Sequence, residues 1–363
     1  MDKNTLLDIS DLRVYFHSTH GEYKVVDGVN LTVQREEILG LAGESGCGKS
    51  TVVEAIMRLI RPPGYIQEGK IMFYPSLEGN ASGKMVPSDA FLSNHFDRGV
   101  DLLTLDEMPL QEMRWKYVSY VPQASMNSLN PVMKIEAQML DVIQAHSNFT
   151  KDEARQRATE ALAMVSLPPS VLQMYPHELS GGMKQRTIIA IAMTLSPQLV
   201  IADEPTTALD VNVQRAVLES IMGIKEQLHA TVIFVSHDLA VHAELVDRLA
   251  IMYAGKIVEV DTVEKLYKKP LHPYSQRLLS SIPVLGGKRV RQEAVLGQAP
   301  DRLNWPSGCR FHPRCPFAMD VCKQVEPPLI EVEAGHQVAC HLYPDVMSAN
   351  IPVLNSQKVD HVN

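Results

Sequence analysis

Gly43-Glu-Ser-Gly-Cys-Gly-Lys-Ser50 is a stretch whose residue types and spacing point to a ligand. Its glycines, Gly43, Gly46 and Gly48, let the backbone curl so that successive N–H groups face a phosphate. Lys49 brings a cation to the β/γ oxygens, and Ser50, followed by Thr51, is placed to ligate Mg²⁺. Far downstream the apolar run Leu199-Val-Ile-Ala leads into Asp203 and Glu204. A buried strand there delivers two carboxylates to its end: Asp203 would hold the Mg²⁺ shell, and Glu204 would act as general base toward an attacking water. Between these runs, Ser180-Gly181-Gly182 opens a helix expected over Met183 to Leu195. Small residues at the positive end of a helix dipole make a second anion site.

These residues need a sheet to hold them at one edge. Leu12-Arg-Val-Tyr-Phe16 and Val25 to Val33 alternate as antiparallel strands, and Ile38 to Ala42 reads as a buried strand feeding the glycine loop. A helix is expected from Lys49 to Ile60, stopped by Pro62-Pro63. Residues 75–100 are polar and aperiodic, an expected insertion; residues 124–180 read as mostly helical, with a capping box at Thr150-Lys-Asp-Glu153. Strands and helices then alternate: Leu199 to Ala202, Val211 to Leu228, Thr231 to Val235, Leu239 to Glu244, Leu249 to Tyr253. That order predicts an α/β fold with a parallel sheet covered on both faces.

With 363 residues, 45% of them hydrophobic and 21% charged, the chain is long enough for one large core and a smaller appendage. A net charge of −8 leaves no electrostatic footprint for nucleic acid. No apolar run approaches the roughly 20 residues of a membrane span, and Met1-Asp-Lys-Asn begins no signal peptide, so any membrane role is expected to need other subunits. Five cysteines, four of them late, suit a cytosolic protein with one local cysteine site.

Leu179-Ser-Gly-Gly-Met-Lys-Gln-Arg186, Leu199 to Glu204 and the phosphate loop together resemble the signature motif, Walker B and P-loop of the ATP-binding-cassette (ABC) family. The resemblance implies an ABC-type P-loop NTPase with a parallel core sheet, an antiparallel β subdomain and a helical subdomain. It implies that Ser180, Gly181 and Gly182 read the ATP held by a partner cassette. Gln123 then corresponds to the Q-loop residue that senses the γ-phosphate and joins the Mg²⁺ site, and His237 to the switch histidine that contacts the γ-phosphate and helps hold Glu204. Asp210 corresponds to the D-loop residue that crosses the dimer interface. An early-strand aromatic stacks on adenine in this family; Phe16 fits by register, with Tyr15 the alternative. Met183 departs from the family's usual glutamine and leaves Ser180 to Gly182 intact.

Ser128-Leu-Asn-Pro131, Leu271-His-Pro-Tyr-Ser-Gln-Arg-Leu-Leu279 and Gly308-Cys-Arg-Phe-His-Pro-Arg-Cys-Pro-Phe317, with Cys322 and Val338-Ala-Cys340-His-Leu342, are similar to elements of the peptide-importer ATPases. The division implied is a cassette over 1–260, a cysteine-bearing extension over 261–345 and a disordered tail over 346–363. Cys309, Cys315, Cys322 and Cys340 lack the C-x-x-C pairs of a zinc ribbon, and the resemblance implies a 4Fe-4S cluster. Zinc and plain structural thiols stand as alternatives, with His312, His336 and His341 as substitute ligands. Cys47, inside the phosphate loop, is expected to serve as a small side chain that fits there, with a thiol that the helix N-terminus should make reactive.

The function implied is that of an ATPase subunit energising a di/oligopeptide importer, whose relatives also carry oligosaccharides or nickel. It would sit peripherally on the cytoplasmic face of the membrane, beside a homologous cassette and two transmembrane permease subunits, served indirectly by an extracytoplasmic solute-binding protein. A non-transport cassette ATPase acting on ribosomes or DNA is the alternative, though the chain has neither the second cassette nor the long coiled coil of such proteins. An idle scaffold is opposed by the presence of Glu204 and His237.

Overall fold

The computed structural model describes residues 4–76, 99–207, 209–280 and 300–343. Most of the expected insertion and all of the expected tail lie outside the described residues. In chain order the elements are β1 (Thr5–Ser18), β2 (Gly21–Gln34), β3 (Ile38–Ala42), α1 (Lys49–Ile56), β4 (Gly64–Phe73), β5 (Val100–Asp101), α2 (Glu107–Lys116) and β6 (Val118–Val121). Next come α3 (Ile135–His146), α4 (Lys151–Met164), α5 (Gly181–Met193), β7 (Leu199–Asp203), α6 (Val211–Leu228), β8 (Thr231–Val235), α7 (Leu239–Leu245) and β9 (Arg248–Tyr253). The last are β10 (Lys256–Thr262), α8 (Val263–Lys268), α9 (Pro273–Ser280), α10 (Asp320–Gln324), β11 (Ile330–Glu333) and β12 (His336–Val338).

Two sheets result. An antiparallel one runs β2-β1-β4-β5, and a mixed one runs β11-β12-β10-β9-β3-β8-β7-β6. Within the latter, β6, β7, β8, β3 and β9 are parallel neighbours. The apolar runs of β3, β7 and β8 are buried along their whole length, as strands covered on both faces must be. Their residues divide by parity between two cores. Val200, Ala202, Val232 and Phe234 pack in one with the helices α3 to α6. Leu199, Ile201, Ile233 and Val235 pack in the other with α1 and the antiparallel sheet.

The expected capping box forms at α4, where Glu153 accepts the Thr150 N–H at 2.8 Å. Two helix limits differ from expectation. α1 stops at Ile56 rather than Ile60, because Arg58 adopts a left-handed φ of 50° and Leu59 N–H turns back to the Glu54 carbonyl at 2.8 Å. α5 runs from Gly181 to Met193, two residues early at each end, because the Ser180 hydroxyl caps it by accepting Met183 N–H.

The extension continues the main sheet. β12 pairs with β10 and β11 with β12, both antiparallel. At the start of β12 His336 is buried with Nε2 2.8 Å from Glu259 and Nδ1 3.0 Å from Asp261. The Glu259 carboxylate also accepts the Leu271 and His272 N–H groups. Among the described residues no helix is long and apolar enough to cross a membrane.

Candidate nucleotide site

At the end of β3 the chain bends through Gly43, Gly46 and Gly48, all at positive φ, into α1. The bend is too tight for a side chain: a Cβ on Gly43 would meet the Met252 carbonyl oxygen at 2.1 Å. Lys49 is buried inside the loop, its Nζ donating to the Gly43 carbonyl at 2.8 Å and the Glu44 carbonyl at 3.3 Å. No side chain caps α1, so the amides of its first turn are left for a ligand.

Across this loop stands the end of β7. Ser50 Oγ donates to Asp203 Oδ1 at 3.2 Å, and Tyr120 OH to Oδ2 at 3.3 Å. Burial raises the Asp203 pKa, Glu204 adds to the rise, and the Ser50 and Tyr120 hydrogen bonds and the Lys49 charge oppose it. A buried carboxylate beside a hydroxyl at a phosphate loop fits Mg²⁺, whose charge would offset that burial. Thr51 lies half-buried in the first turn of α1.

Glu204 has φ 47° and its N–H bonds to the Val235 carbonyl. Its carboxylate gathers three side chains: Gln123 Nε2 and Thr207 Oγ1, each 2.9 Å from Oε2, and His237 Nδ1, 3.3 Å from Oε1. The sheet explains the meeting. Gln123 follows β6 and His237 follows β8, the two neighbours of β7, and parallel strands release their successors at one edge. The sequence reading named Gln123, Asp203, Glu204 and His237 but missed Tyr120 and Thr207. Tyr120 was legible only as a polar tip in a strand next to β7, and Thr207 only as a hydroxyl three residues past the acid.

Ser180 and Asp210 are both helix N-caps here, Asp210 accepting Val213 N–H at 3.0 Å. Gly182 lets α5 press on α6, where a Cβ would meet Val213 Cγ1 at 2.3 Å. Among the described residues Ser180, Gly181, Gly182 and Asp210 make no hydrogen bond to this chain's phosphate loop. Tyr15 is committed to packing: its hydroxyl donates to Asp27 at 2.7 Å, its ring meets Tyr65 edge-on, and burial is the main cause of a pKa raised to about 12. Phe16 is half-buried against Gly64.

Cys47 corrects the sequence expectation. It is 6% exposed, and burial drives its pKa upward against the pull of Lys49. Loss of solvation outweighs the helix terminus and disfavours the thiolate.

The four late cysteines are free thiols. Gly308, at φ 66°, brings Cys309 N–H onto the Cys322 carbonyl at 2.8 Å. Burial, then the neighbouring thiols, raise the pKa of Cys309 to about 11 and of Cys340 to about 12. Among the described residues, however, no three His, Cys, Asp or Glu side chains are arranged to hold a metal ion. The histidines offered as substitutes are engaged elsewhere: His312 with the Cys309 carbonyl, His341 with the Val325 carbonyl, His336 with Glu259 and Asp261.

The extension also touches the phosphate loop. Arg314 binds both carboxylate oxygens of Glu44, each at 3.0 Å, and Tyr274 OH accepts the Glu44 N–H at 2.9 Å.

The ABC transporter family matches residues 26–207, and the oligopeptide/dipeptide transporter C-terminal region matches residues 258–322. The dipeptide transport ATP-binding protein DppD of Caldanaerobacter subterraneus subsp. tengcongensis is 39% identical over 342 residues, 94% of this chain and 98% of that protein. The oligopeptide transport ATP-binding protein AppD of Bacillus subtilis is 41% identical over 344 residues, with the same coverage of 94% and 98%. The dimeric ATP-binding cassette MJ0796, solved in a post-hydrolysis state with ADP and Pi, shares the fold at TM-score 0.57 and 24% identity, covering 71% of this chain and 99% of that one. With its phosphate loop, paired carboxylates and matching C-terminal region, the chain belongs to the ABC transporter family, as an ATPase of the oligopeptide/dipeptide transporter group.

Proposed function

We propose that this chain is the ATP-hydrolysing subunit of an importer for di- or oligopeptides, docked peripherally at the cytoplasmic face of the membrane on two transmembrane permease subunits. The observation that carries the enzymatic part is the Glu204 carboxylate, held at once by Gln123, Thr207 and His237. ATP phosphates rest on Gly43 to Thr51 and the α1 N-terminus, with Phe16 against the adenine. Lys49 turns from its own loop carbonyls to the β/γ oxygens. Ser50 and Asp203, with Gln123, would hold Mg²⁺, which when bound would neutralise phosphate charge. Glu204 orients the attacking water and takes its proton, while His237 steadies Glu204 and the γ-phosphate.

Ser180 to Gly182 and Asp210 serve the ATP of a second cassette, homologous rather than identical. Their exposed helix starts and their lack of bonds to this chain's own loop support that trans role. We divide the chain at about residue 260 into cassette, with its helical subdomain over 124–180, and extension. Peptide cargo is inferred from the peptide transporters named above, and its delivery by a solute-binding protein belongs to the same proposal. The four cysteines are read as ligands of a 4Fe-4S cluster, a reading supported by their all being free thiols and by the Cys309 N–H resting on the Cys322 carbonyl at 2.8 Å. Iron analysis of anaerobically purified protein should give about four irons per chain; zinc alone, or no metal, removes this reading.

The transport assignment is tested by co-purifying the chain with its membrane subunits and reconstituting them in liposomes. ATP-dependent uptake of labelled di- and tetrapeptides is expected. Uptake of nickel or oligosaccharide in their place reassigns the cargo, and ATPase activity that never couples to a membrane partner removes the importer.

A further inference from the structure

Residues 300–305 lead from the extension onto the nucleotide-binding face. Asp301 Oδ1 fixes a turn by accepting Leu303 N–H at 3.0 Å, and Trp305 Nε1–H donates to the Lys24 carbonyl on β2 at 3.0 Å. Arg310 lies 4.8 Å over the Trp305 ring and pairs with Asp27. The backbone just past Arg302 is therefore anchored to the cassette at Trp305, behind a turn that Asp301 fixes. Its side chain reaches the phosphate loop: Nη2 stands 1.9 Å from where a Cβ on Gly46 would be, and Cζ 3.1 Å. The guanidinium lies directly on a glycine of the anion-binding loop, where a side chain would have to push the flexible tip of Arg302 aside.

That cation is otherwise uncommitted. Arg302 is exposed and makes no ion pair among the described residues. The one acid inside the phosphate loop, Glu44, is already neutralised by the fork of Arg314. The same Arg314 contact and the Tyr274 hydroxyl hold the extension against the loop, so Arg302 is carried on a docked element. A planar guanidinium with several donors is suited to phosphate oxygens, and a polyphosphate is the anion this loop takes.

We propose that Arg302 is a nucleotide-contacting residue supplied in cis by the extension, its guanidinium pairing with the polyphosphate of ATP on Gly43 to Ser50. The proposal rests on the reading of that loop as the phosphate site. It makes ATP affinity depend on the docked extension as well as on the cassette.

Equilibrium binding of MgATP to the purified full-length chain tests it, using wild type, Arg302→Ala, Arg302→Lys and, as a control, Lys49→Ala. Arg302→Ala should raise the dissociation constant about tenfold, the effect of one charge-assisted hydrogen bond, and Arg302→Lys should recover part of the loss. Binding should also become less sensitive to salt. In steady-state hydrolysis KM for ATP should rise while kcat changes little. Unchanged or tighter binding in Arg302→Ala, alongside lost binding in Lys49→Ala, overturns the proposal alone; tighter binding would mean that Arg302 shields the loop. Unchanged binding in Lys49→Ala overturns the phosphate-loop reading and the proposal with it.

Discussion

Arg314 and Glu44 are 270 residues apart in sequence, yet each guanidinium Nη lies 3.0 Å from a different oxygen of the carboxylate. The Arg314 side chain is 7% exposed and that of Glu44 26%, so water screens the pair only in part. Arg314→Ala leaves a half-buried acid inside the phosphate loop. Breaking a fully buried pair costs about 3–5 kcal/mol; here, with Glu44 partly wet, about 2 kcal/mol is expected. Urea unfolding of the full chain measures it. Arg314→Lys should restore less than half, because an ammonium cannot match the fork, and Glu44→Gln combined with Arg314→Ala should show non-additive losses.

Glu204→Gln should keep ATP binding and lower hydrolysis at this chain's P-loop by at least about a hundredfold, the usual worth of a general base. The amide can still bond to Gln123 and Thr207, so local geometry survives. Phosphate release by the assembled transporter is the measurement, and near-normal turnover would remove Glu204 from the mechanism.

Cys47 should label slowly with thiol reagents both with and without MgATP, because burial holds its thiol protonated and out of reach. Rapid labelling of the nucleotide-free protein, suppressed by ATP, would restore the reactive thiol that the helix terminus alone suggests. Mass spectrometry of short pulses distinguishes the two.

His272 and His242 are buried neutral, with pKa values lowered by burial from 6.5 to about 3 and about 4. His272 Nδ1 accepts the Tyr274 N–H at 3.0 Å, a bond its protonation would break. Below about pH 6.5 the unfolded chain binds protons that the native chain refuses until the lower values. The contribution of these two histidines is therefore complete above that pH and is lost as pH drops toward 4 and 3, by on the order of a few kcal/mol for each group. His272→Asn, which keeps an acceptor for Tyr274, should flatten the loss. Urea midpoints between about pH 7.5 and about pH 4.5 check the slope.

What was legible in the sequence was what repeats locally or sits in a fixed motif. β8 and α6 fall on the expected residues because their apolar periods are unbroken between turn signals. The end of α1 was not legible, since it depends on one non-glycine residue, Arg58, turning left-handed. The chemistry of Gly43 to Ser50 could be read without a structure, but the state of Cys47 could not. A motif gives the thiol's place on a helix and says nothing of the solvation it loses on folding. Tyr120 and Thr207 were missed for a similar reason: each reaches its carboxylate through tertiary placement. Least legible of all were Arg302 and Arg314, which meet the phosphate loop from the far end of the chain with no period or spacing to announce them.

The pairing of β12 with β10 bears on self-association. A chain cut after Thr262 would leave β10, with its buried Val258 and Val260, as an open sheet edge, and such an edge templates pairing with another copy. β12 occupies part of that edge and passes the role to β11, a four-residue strand that follows Pro327-Pro328 and exposes Glu331 and Glu333. Short, acidic and preceded by prolines, β11 is a poor template. The extension thus ends the sheet in an edge poorly suited to pairing with another copy.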